Sequence, residues 1–320
     1  MTPPLFFLLG PTAAGKTPLA VALTQRFPFE IISVDSVMIY RGMDMGSAKP
    51  DAATLTLAPH HLIDILDPAE SYSAGQFRED ALHLIAAIHA RGRIPLLVGG
   101  TMLYFRVLQQ GIADLPKAEP TYRLAIEKEA EKHGWPYLHA KLATQDPAAA
   151  ARIHVNDAQR IQRALEVCYL TGQTLTTLQQ AATHPLAHYA VHAFAIAPQD
   201  RAVLHARIAK RLQVMLDQGW LAEVEVLYQR GDLTAMHPAV RAVGYRQIWR
   251  YLAGELSLEE MKAAVLAATR QLAKRQLTWL RSWPDLTWFD SEDPALLATV
   301  SEWIAASLSQ TTPPLSPPTH

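Results

Sequence analysis

The chain has 320 residues, which at roughly 150 per domain suits one large domain or a core with a smaller insert. Hydrophobic residues make up 49% and charged residues 18%, so a sizeable core can form and a disordered or fibrous chain is excluded. Lys and Arg total 29 against 30 Asp and Glu, which excludes a uniformly basic nucleic-acid coat but leaves room for a local basic face.

In chain order, Leu5 to Leu9 is a short apolar run ending at Gly10, the pattern of a buried parallel strand. No positive charge precedes it, since the first basic residue is Lys16, so a secretory signal is not expected. Helical spacing follows at Leu19, Ala20, Leu23 and Phe27, then a strand over Glu30–Asp35 and a helix over Ala74–Arg91. Ile94–Val98 is a further strand, closed by Gly99-Gly100-Thr101. This alternation predicts an α/β fold, a P-loop NTPase-like parallel sheet flanked by helices. From about residue 117 strand signals cease, and Glu119–Lys132, Pro147–Tyr169 and Thr176–Ala182 read as helices. Val191–Ala197 reads as a strand, and Arg201–Gln218, Leu221–Arg230 and Leu258–Arg281 as amphipathic helices. The expected organisation is a core over 1–116 and 189–310 with C-terminal helices, a helical insert over 117–188, and a disordered Pro-rich tail over 311–320. No stretch approaches the roughly 20 apolar residues of a membrane span, so a cytoplasmic protein is expected, most simply a monomer. The single Cys168 cannot form an intrachain disulfide or build a Cys-based zinc site, and it reads as a small buried hydrophobe.

Gly10-Pro11-Thr12-Ala13-Ala14-Gly15-Lys16-Thr17 fits G-x-x-x-x-G-K-[ST], with a strand before it and a helix after it. In such an ATP-binding type of loop, backbone N–H groups and the helix N-terminus receive phosphate oxygens. Lys16 supplies a point charge and the Thr17 hydroxyl is placed to ligate Mg²⁺. A second strand ending in Asp, usual in ATPases, is missing at Val98. Asp35 instead ends the strand that follows the loop. By parallel-sheet logic it lies near the phosphates, as a base or a metal ligand, although a turn Asp fits equally well. His60 and His61 lack a third ligand at metal-site spacing and read as local hydrogen-bonding residues.

Further stretches follow in order: Ser33-Val34-Asp35-Ser36-Val37-Met38, Gly42-Met43-Asp44-Met45-Gly46-Ser47-Ala48-Lys49-Pro50, Tyr72-Ser73-Ala74-Gly75-Gln76-Phe77 and Gly99-Gly100-Thr101. The second half has Asn156-Asp157-Ala158-Gln159-Arg160-Ile161-Gln162-Arg163, Ala242-Val243-Gly244-Tyr245-Arg246-Gln247 and Thr269-Arg270-Gln271-Leu272-Ala273-Lys274-Arg275-Gln276. Together they closely resemble the bacterial tRNA dimethylallyltransferases, also called tRNA isopentenyl transferases, over about residues 5 to 290. Ala14 stands where Ser is common in that family, and Met38 where Gln or Leu often follows the Asp-Ser pair.

The resemblance implies transfer of a dimethylallyl group from dimethylallyl diphosphate to the exocyclic amine of the adenosine next to the anticodon. The substrates would be tRNAs reading codons that begin with U. It implies Asp35 as general base, with Ser36, Val37 and Met38 beside the substrate base, Thr101 in the active site, and an arginine on the departing diphosphate. Arg211 matches that arginine, with Arg207 one turn away. For the tRNA anticodon stem-loop it implies contacts at Gln159, Arg160, Ile161, Gln162 and Arg163, and at Arg241, Ala242, Val243, Gly244, Tyr245 and Arg246. Gly244 would allow close backbone approach, and Arg123 adds a contact by position. Between 241 and 283 there are eight Lys or Arg against three Glu, and Arg270, Lys274 and Arg281 recur at helical spacing. Trp279 and Trp283 read as core more than as base-stacking residues. A P-loop small-molecule kinase, or a tRNA-binding protein switched by nucleotide, would share the phosphate loop; the second would not need Asp35.

Overall fold

The computed structural model describes residues 2–111, 115–116, 118–180 and 184–311. The chain divides into two compact units, Met1–Phe105 with Leu186–His320, and Arg106–Pro185. The first is built on β1 (Pro4–Leu9), α1 (Lys16–Thr24), β2 (Phe29–Val34), α2 (Ala52–Leu57), β3 (His60–His61), α3 (Ala74–Ala90) and β4 (Ile94–Gly99). Helix α4 (Met102–Gln110) runs out of it, which is why the smaller unit begins before the expected residue 117. The smaller unit contains α5 (Pro120–His133), α6 (Trp135–Gln145), α7 (Pro147–Arg152), α8 (Ala158–Thr171) and α9 (Leu175–Gln180). The chain then returns to the larger unit as β5 (Ala190–Ala197), α10 (Arg201–Asp217), α11 (Trp220–Gln229), α12 (Tyr245–Leu252), α13 (Leu258–Arg281), β6 (Thr287–Asp290) and α14 (Leu296–Thr311).

The six strands form one parallel sheet in the order β3-β2-β4-β1-β5-β6. It is the expected α/β phosphate-loop architecture. In β1 alternate side chains enter opposite layers. Phe6 and Leu8 join a core that includes Leu19 and Leu23 of α1 and Val300 and Ile304 of α14. Phe7 instead meets Phe105 and Trp283 at ring-centroid distances of 5.0 and 6.5 Å, so Trp283 is a packing residue. A second core gathers Met215, Trp220, Val224, Ile248, Met261 and Val265 of the C-terminal helices around Ile39, Tyr40 and Met43. It thereby fixes the loop after β2.

Helices α2, α4, α6, α12 and α14 and strands β3 and β6 were not expected from the sequence. Two of the strands have only two and four residues, too short for an alternation to register. The expected tail lies outside the described residues, apart from Thr311, which closes α14; Ala182, the end of an expected helix, also lies outside them. The expected helix Pro147–Tyr169 is two helices. Asp146 caps α7 through the N–H of Ala149, and Asp157 caps α8 through the N–H of Arg160, so each carboxylate starts a new helix where propensity alone would run on. Cys168, expected to be buried, is half-exposed near the end of α8.

The smaller unit has its own core of Ile126, Leu138, Leu142, Ile161, Ala164, Leu165 and Val167. Inside it Glu166 is fully buried, and its carboxylate accepts from Arg123 Nε at 2.8 Å, Arg123 Nη2 at 2.9 Å, Arg163 Nη1 at 2.5 Å and the Glu119 N–H at 2.8 Å. Burial pushes the Glu166 carboxyl up, but these hydrogen bonds outweigh it and hold it at about 2. A carboxyl whose folded value is depressed stabilises the fold above its ordinary value and loses that contribution as pH falls through the folded one. Amide exchange within 106–185 should therefore accelerate as pH is lowered from about 4.5 to about 2, after correction for intrinsic exchange. Glu166→Gln should cost about 1.5–3 kcal/mol at neutral pH and remove that acid dependence; an unchanged acid profile would contradict the assignment.

Candidate active site

The C-terminal ends of β1, β2 and β4 lie on one edge of the sheet, because all three strands run parallel. The loop after β1 carries the phosphate-binding residues, the turn after β2 carries Asp35, and the turn after β4 carries Gly100 and Thr101. A cavity of about 1230 Å³ opens there. Thr12, Ala13, Ala14, Gly15, Lys16 and Thr17 line it, while Gly10 and Pro11 are buried behind. Asp35, Ser36, Val37 and Met38 form a second wall, and Arg211, Leu212 and Met215 of α10 a third.

Lys16 Nζ donates to the carbonyls of Gly10 at 2.9 Å and Pro11 at 2.8 Å. Burial, reinforced by repulsion from Arg211 and partly offset by Asp35, lowers its pKa to about 8. Arg211 is likewise lowered by burial, against the attraction of Asp35. The Arg211 guanidinium donates over a long 3.5 Å to the Ser47 carbonyl. The two arginines that share a face of α10 are thus separated: Arg211 enters the cavity, whereas Arg207 bonds Ser291 Oγ at 2.8 Å and lies 3.8 Å from Glu292.

Asp35 Oδ1 accepts from the N–H groups of Val37 at 2.8 Å and Met38 at 3.2 Å. It is therefore a turn aspartate and a cavity aspartate at once, since the turn uses one of its two oxygens. The wall extends along β4 as far as Gly100. Thr101, next in the chain, is tied to the site through its hydroxyl, which accepts the Ser36 N–H at 3.2 Å. Thr17, at the start of α1, is among the residues that line the cavity. Among the described residues, no group of three His, Cys, Asp or Glu could hold a metal. His60 bonds the Ala58 carbonyl and His61 bonds Glu30, as local hydrogen-bonding residues.

Several supporting side chains were not singled out from the sequence. Glu223 of α11 accepts the N–H groups of Asp44 at 2.8 Å, Met45 at 2.6 Å and Gly46 at 3.3 Å, together with the Tyr245 hydroxyl at 2.6 Å. Lys49, nearly buried, holds the same loop by donating to the Tyr40 carbonyl and pairing with Asp44 and Asp64. Gln276 of α13 reaches both the phosphate loop and the turn after β4. The partners of Glu223 in the 44–46 loop and those of Gln276 are too distant in sequence for spacing to reveal them.

The residues expected to contact RNA separate by exposure. Arg241, Ala242 and Val243 line the cavity and Arg246 is exposed. Tyr245 is only 1% exposed, and Gly244 faces the protein interior: a Cβ there would fall within the indole of Trp220. Close approach at Gly244 is thus to Trp220, and these two positions support the wall from behind. In the smaller unit, Gln159 and Arg160 are exposed, whereas Ile161 is fully buried. Gln162 bonds the Arg123 carbonyl and Glu127, and Arg123 and Arg163 are committed to Glu166.

A phosphate loop between a parallel strand and a helix, with Lys16, Arg211 and Asp35 beside it, defines an α/β protein with a site of the kind that receives a di- or triphosphate. The family model described as IPP transferase matches residues 38–283, and one described as Isopentenyl transferase matches residues 3–64. The chain belongs to the IPP transferase family. Among solved structures it is similar to the tRNA isopentenylpyrophosphate transferase of Bacillus halodurans, at 38% identity and a TM-score of 0.71, covering 96% of this chain and 97% of that one. It is similar to the tRNA delta(2)-isopentenylpyrophosphate transferase of Staphylococcus epidermidis at 32% identity and a TM-score of 0.68, covering 97% and 100%. A eukaryotic dimethylallyltransferase acting on tRNA matches at 25% identity and a TM-score of 0.83, covering 97% of this chain and 80% of that one.

The lowered Lys16 implies a pH-dependent anion site. Above about pH 8 the free protein holds Lys16 largely neutral, so diphosphate binding must take up a proton there and weakens as pH rises. Calorimetry with inorganic pyrophosphate should show proton uptake near pH 8 that Lys16→Arg, whose guanidinium stays charged, abolishes.

Proposed function

We propose that this cavity is where the chain transfers a dimethylallyl group from dimethylallyl diphosphate to N6 of the adenosine 3′-adjacent to the anticodon, in tRNAs reading codons that begin with U. Diphosphate is released. The observation that carries the residue assignment is the convergence of Lys16, Arg211 and Asp35 on one cavity in a chain of this family.

The N6 lone pair is delocalised into the adenine ring, which makes the amine a poor nucleophile. As the N6–C1 bond forms and the C1–O bond to diphosphate breaks, N6 sheds a proton and the leaving group gains charge. Asp35 accepts the proton, with its carboxylate oriented by the Val37 and Met38 N–H groups. Lys16 and Arg211 stabilise the charge that develops on the diphosphate, in a site where burial strengthens their field. Thr101 holds the 36–38 turn through Ser36 and so keeps the base beside the acceptor adenine. Leu212, Met215, Val265 and Leu272 provide an apolar wall suited to the dimethylallyl chain.

A divalent cation, Mg²⁺, fits a site whose protein donors are hard oxygens and few. The Thr17 hydroxyl would hold it together with diphosphate oxygens and water, consistent with the small protein share in many Mg²⁺ sites. When bound it draws charge from the diphosphate. The RNA is received at Arg241, Ala242, Val243 and Arg246, at Gln159 and Arg160, and along Arg270, Lys274 and Arg281 of α13. The adenine is unstacked from a single-stranded loop, where that costs least. No helix among the described residues is long and apolar enough to cross a membrane. A monomer working in the cytoplasm is the simplest setting for this reaction.

Incubation of the protein with Mg²⁺, dimethylallyl diphosphate and unmodified tRNA should yield prenylated adenosine by nucleoside mass spectrometry. Asp35→Asn, which preserves the turn acceptor but not the base, should lower kcat on the order of 10²–10⁴-fold. Activity within threefold of native, or phosphate release from ATP without prenylation, would sink the assignment. Arg160→Ala removes an exposed cation and should weaken tRNA binding, with the slope of log affinity against log salt reduced by about 1.

A further inference from the structure

We propose that Gln276 is a positioning residue for prenyl transfer, joining the phosphate loop and the turn after β4 to the basic helix α13. Its side chain is 7% exposed, and both ends of its amide are used. Oε1 accepts the Thr12 N–H at 2.9 Å, and Nε2 donates to the Gly100 carbonyl at 2.9 Å. One side chain therefore ties together the ends of β1 and β4, the strands that deliver Lys16 and Thr101. Glutamine suits this place for a chemical reason. Glutamate lacks the donor, lysine lacks the acceptor, and asparagine is one methylene shorter.

Gly100 bears the imprint of the same contact. Its φ is not in the left-handed region, so conformation does not demand glycine there. Space does: a Cβ would stand 2.5 Å from Gln276 Nε2 and 3.4 Å from the Gly10 carbonyl oxygen. The Thr12 N–H is satisfied within the protein, so the shape of the loop does not wait on a ligand to pair it. Helix α13 also presents Lys274, Arg275 and Arg281 at the surface. Gln276 therefore sets the diphosphate loop and Thr101 in register with the helix whose outer face meets RNA in the reading above. The inference rests on that reading of the phosphate loop as the diphosphate site.

Steady-state kinetics on the full chain tests it. Gln276→Met, close in shape but without the amide, should raise the KM for dimethylallyl diphosphate and lower kcat, each on the order of 10-fold. The KM for tRNA should stay within about twofold, since the basic face of α13 is untouched. Gly100→Ala, which displaces the amide while leaving Gln276 in place, should reproduce the defect and serves alone if Gln276→Met does not fold. In a Gln276→Ala background Gly100→Ala should add nothing, because Nε2 is no longer there to be met. A merely structural role would lower the melting temperature and leave both KM values unchanged. That pattern, or full additivity of the two substitutions, overturns the proposal. Lys16→Ala separates the two levels: if it raises the KM for dimethylallyl diphosphate while Gln276→Met does not, only the role of Gln276 falls. If Lys16→Ala also leaves that KM unchanged, the diphosphate reading falls and takes this one with it.

Discussion

Two half-buried cations, Lys16 and Arg211, beside the Asp35 carboxylate are the constraint around which the site is built. Lys16 and Arg211 repel each other, and both are lowered by burial, while Asp35 attracts both. Such a cluster has the charge to attract a multivalent anion. The same charge suits a reaction in which negative charge grows on a leaving diphosphate. A prenyl donor and a nucleotide present similar phosphates to such a loop; the protein distinguishes its chemistry by what stands opposite. Here that is an aspartate at the end of β2, with one oxygen fixed by backbone N–H groups and an apolar wall beside it.

The site depends on scaffolding that lies far away in the chain. Glu223 takes three successive backbone N–H groups of the Asp44–Gly46 loop and the Tyr245 hydroxyl, and Trp220 packs against both Gly46 and Gly244. The carbonyl of Ser47, one residue beyond that loop, is the acceptor for Arg211. A motif that reads as an RNA-contact segment is thus divided in its labour. Its first residues reach the cavity, while its glycine and tyrosine hold the wall from behind.

In the smaller unit the same division appears with charges. Arg123 and Arg163 neutralise the buried Glu166, which would otherwise be an uncompensated charge in an apolar core. Gln159 and Arg160 lie on the exposed side of α8, where Arg160 pairs with Asp157 at 3.4 Å. Helix α8 thus carries two arginines in its sequence, Arg160 and Arg163, of which only Arg160 is exposed.

The phosphate loop, the strand–helix alternation, Asp35 at a strand end and the bounds of helix α13 were determined by the sequence itself. Each is a local pattern: a glycine spacing, an apolar run, a period of 3.6 residues. Family membership was legible for the related reason that several such patterns occur in a fixed order. The family pattern pointed to Arg211, and tertiary structure showed what separates it from Arg207, which shares its helix face but is drawn to Ser291 and Glu292. Tertiary structure alone showed Tyr245 and Ile161 turned inward, and the start of α8 after α7 set by the capping carboxylate of Asp157. It alone joined Gln276 to Thr12 and Gly100. Burial and hydrogen-bond partners of this kind are properties of chain segments up to 264 residues apart, and no local spacing encodes them.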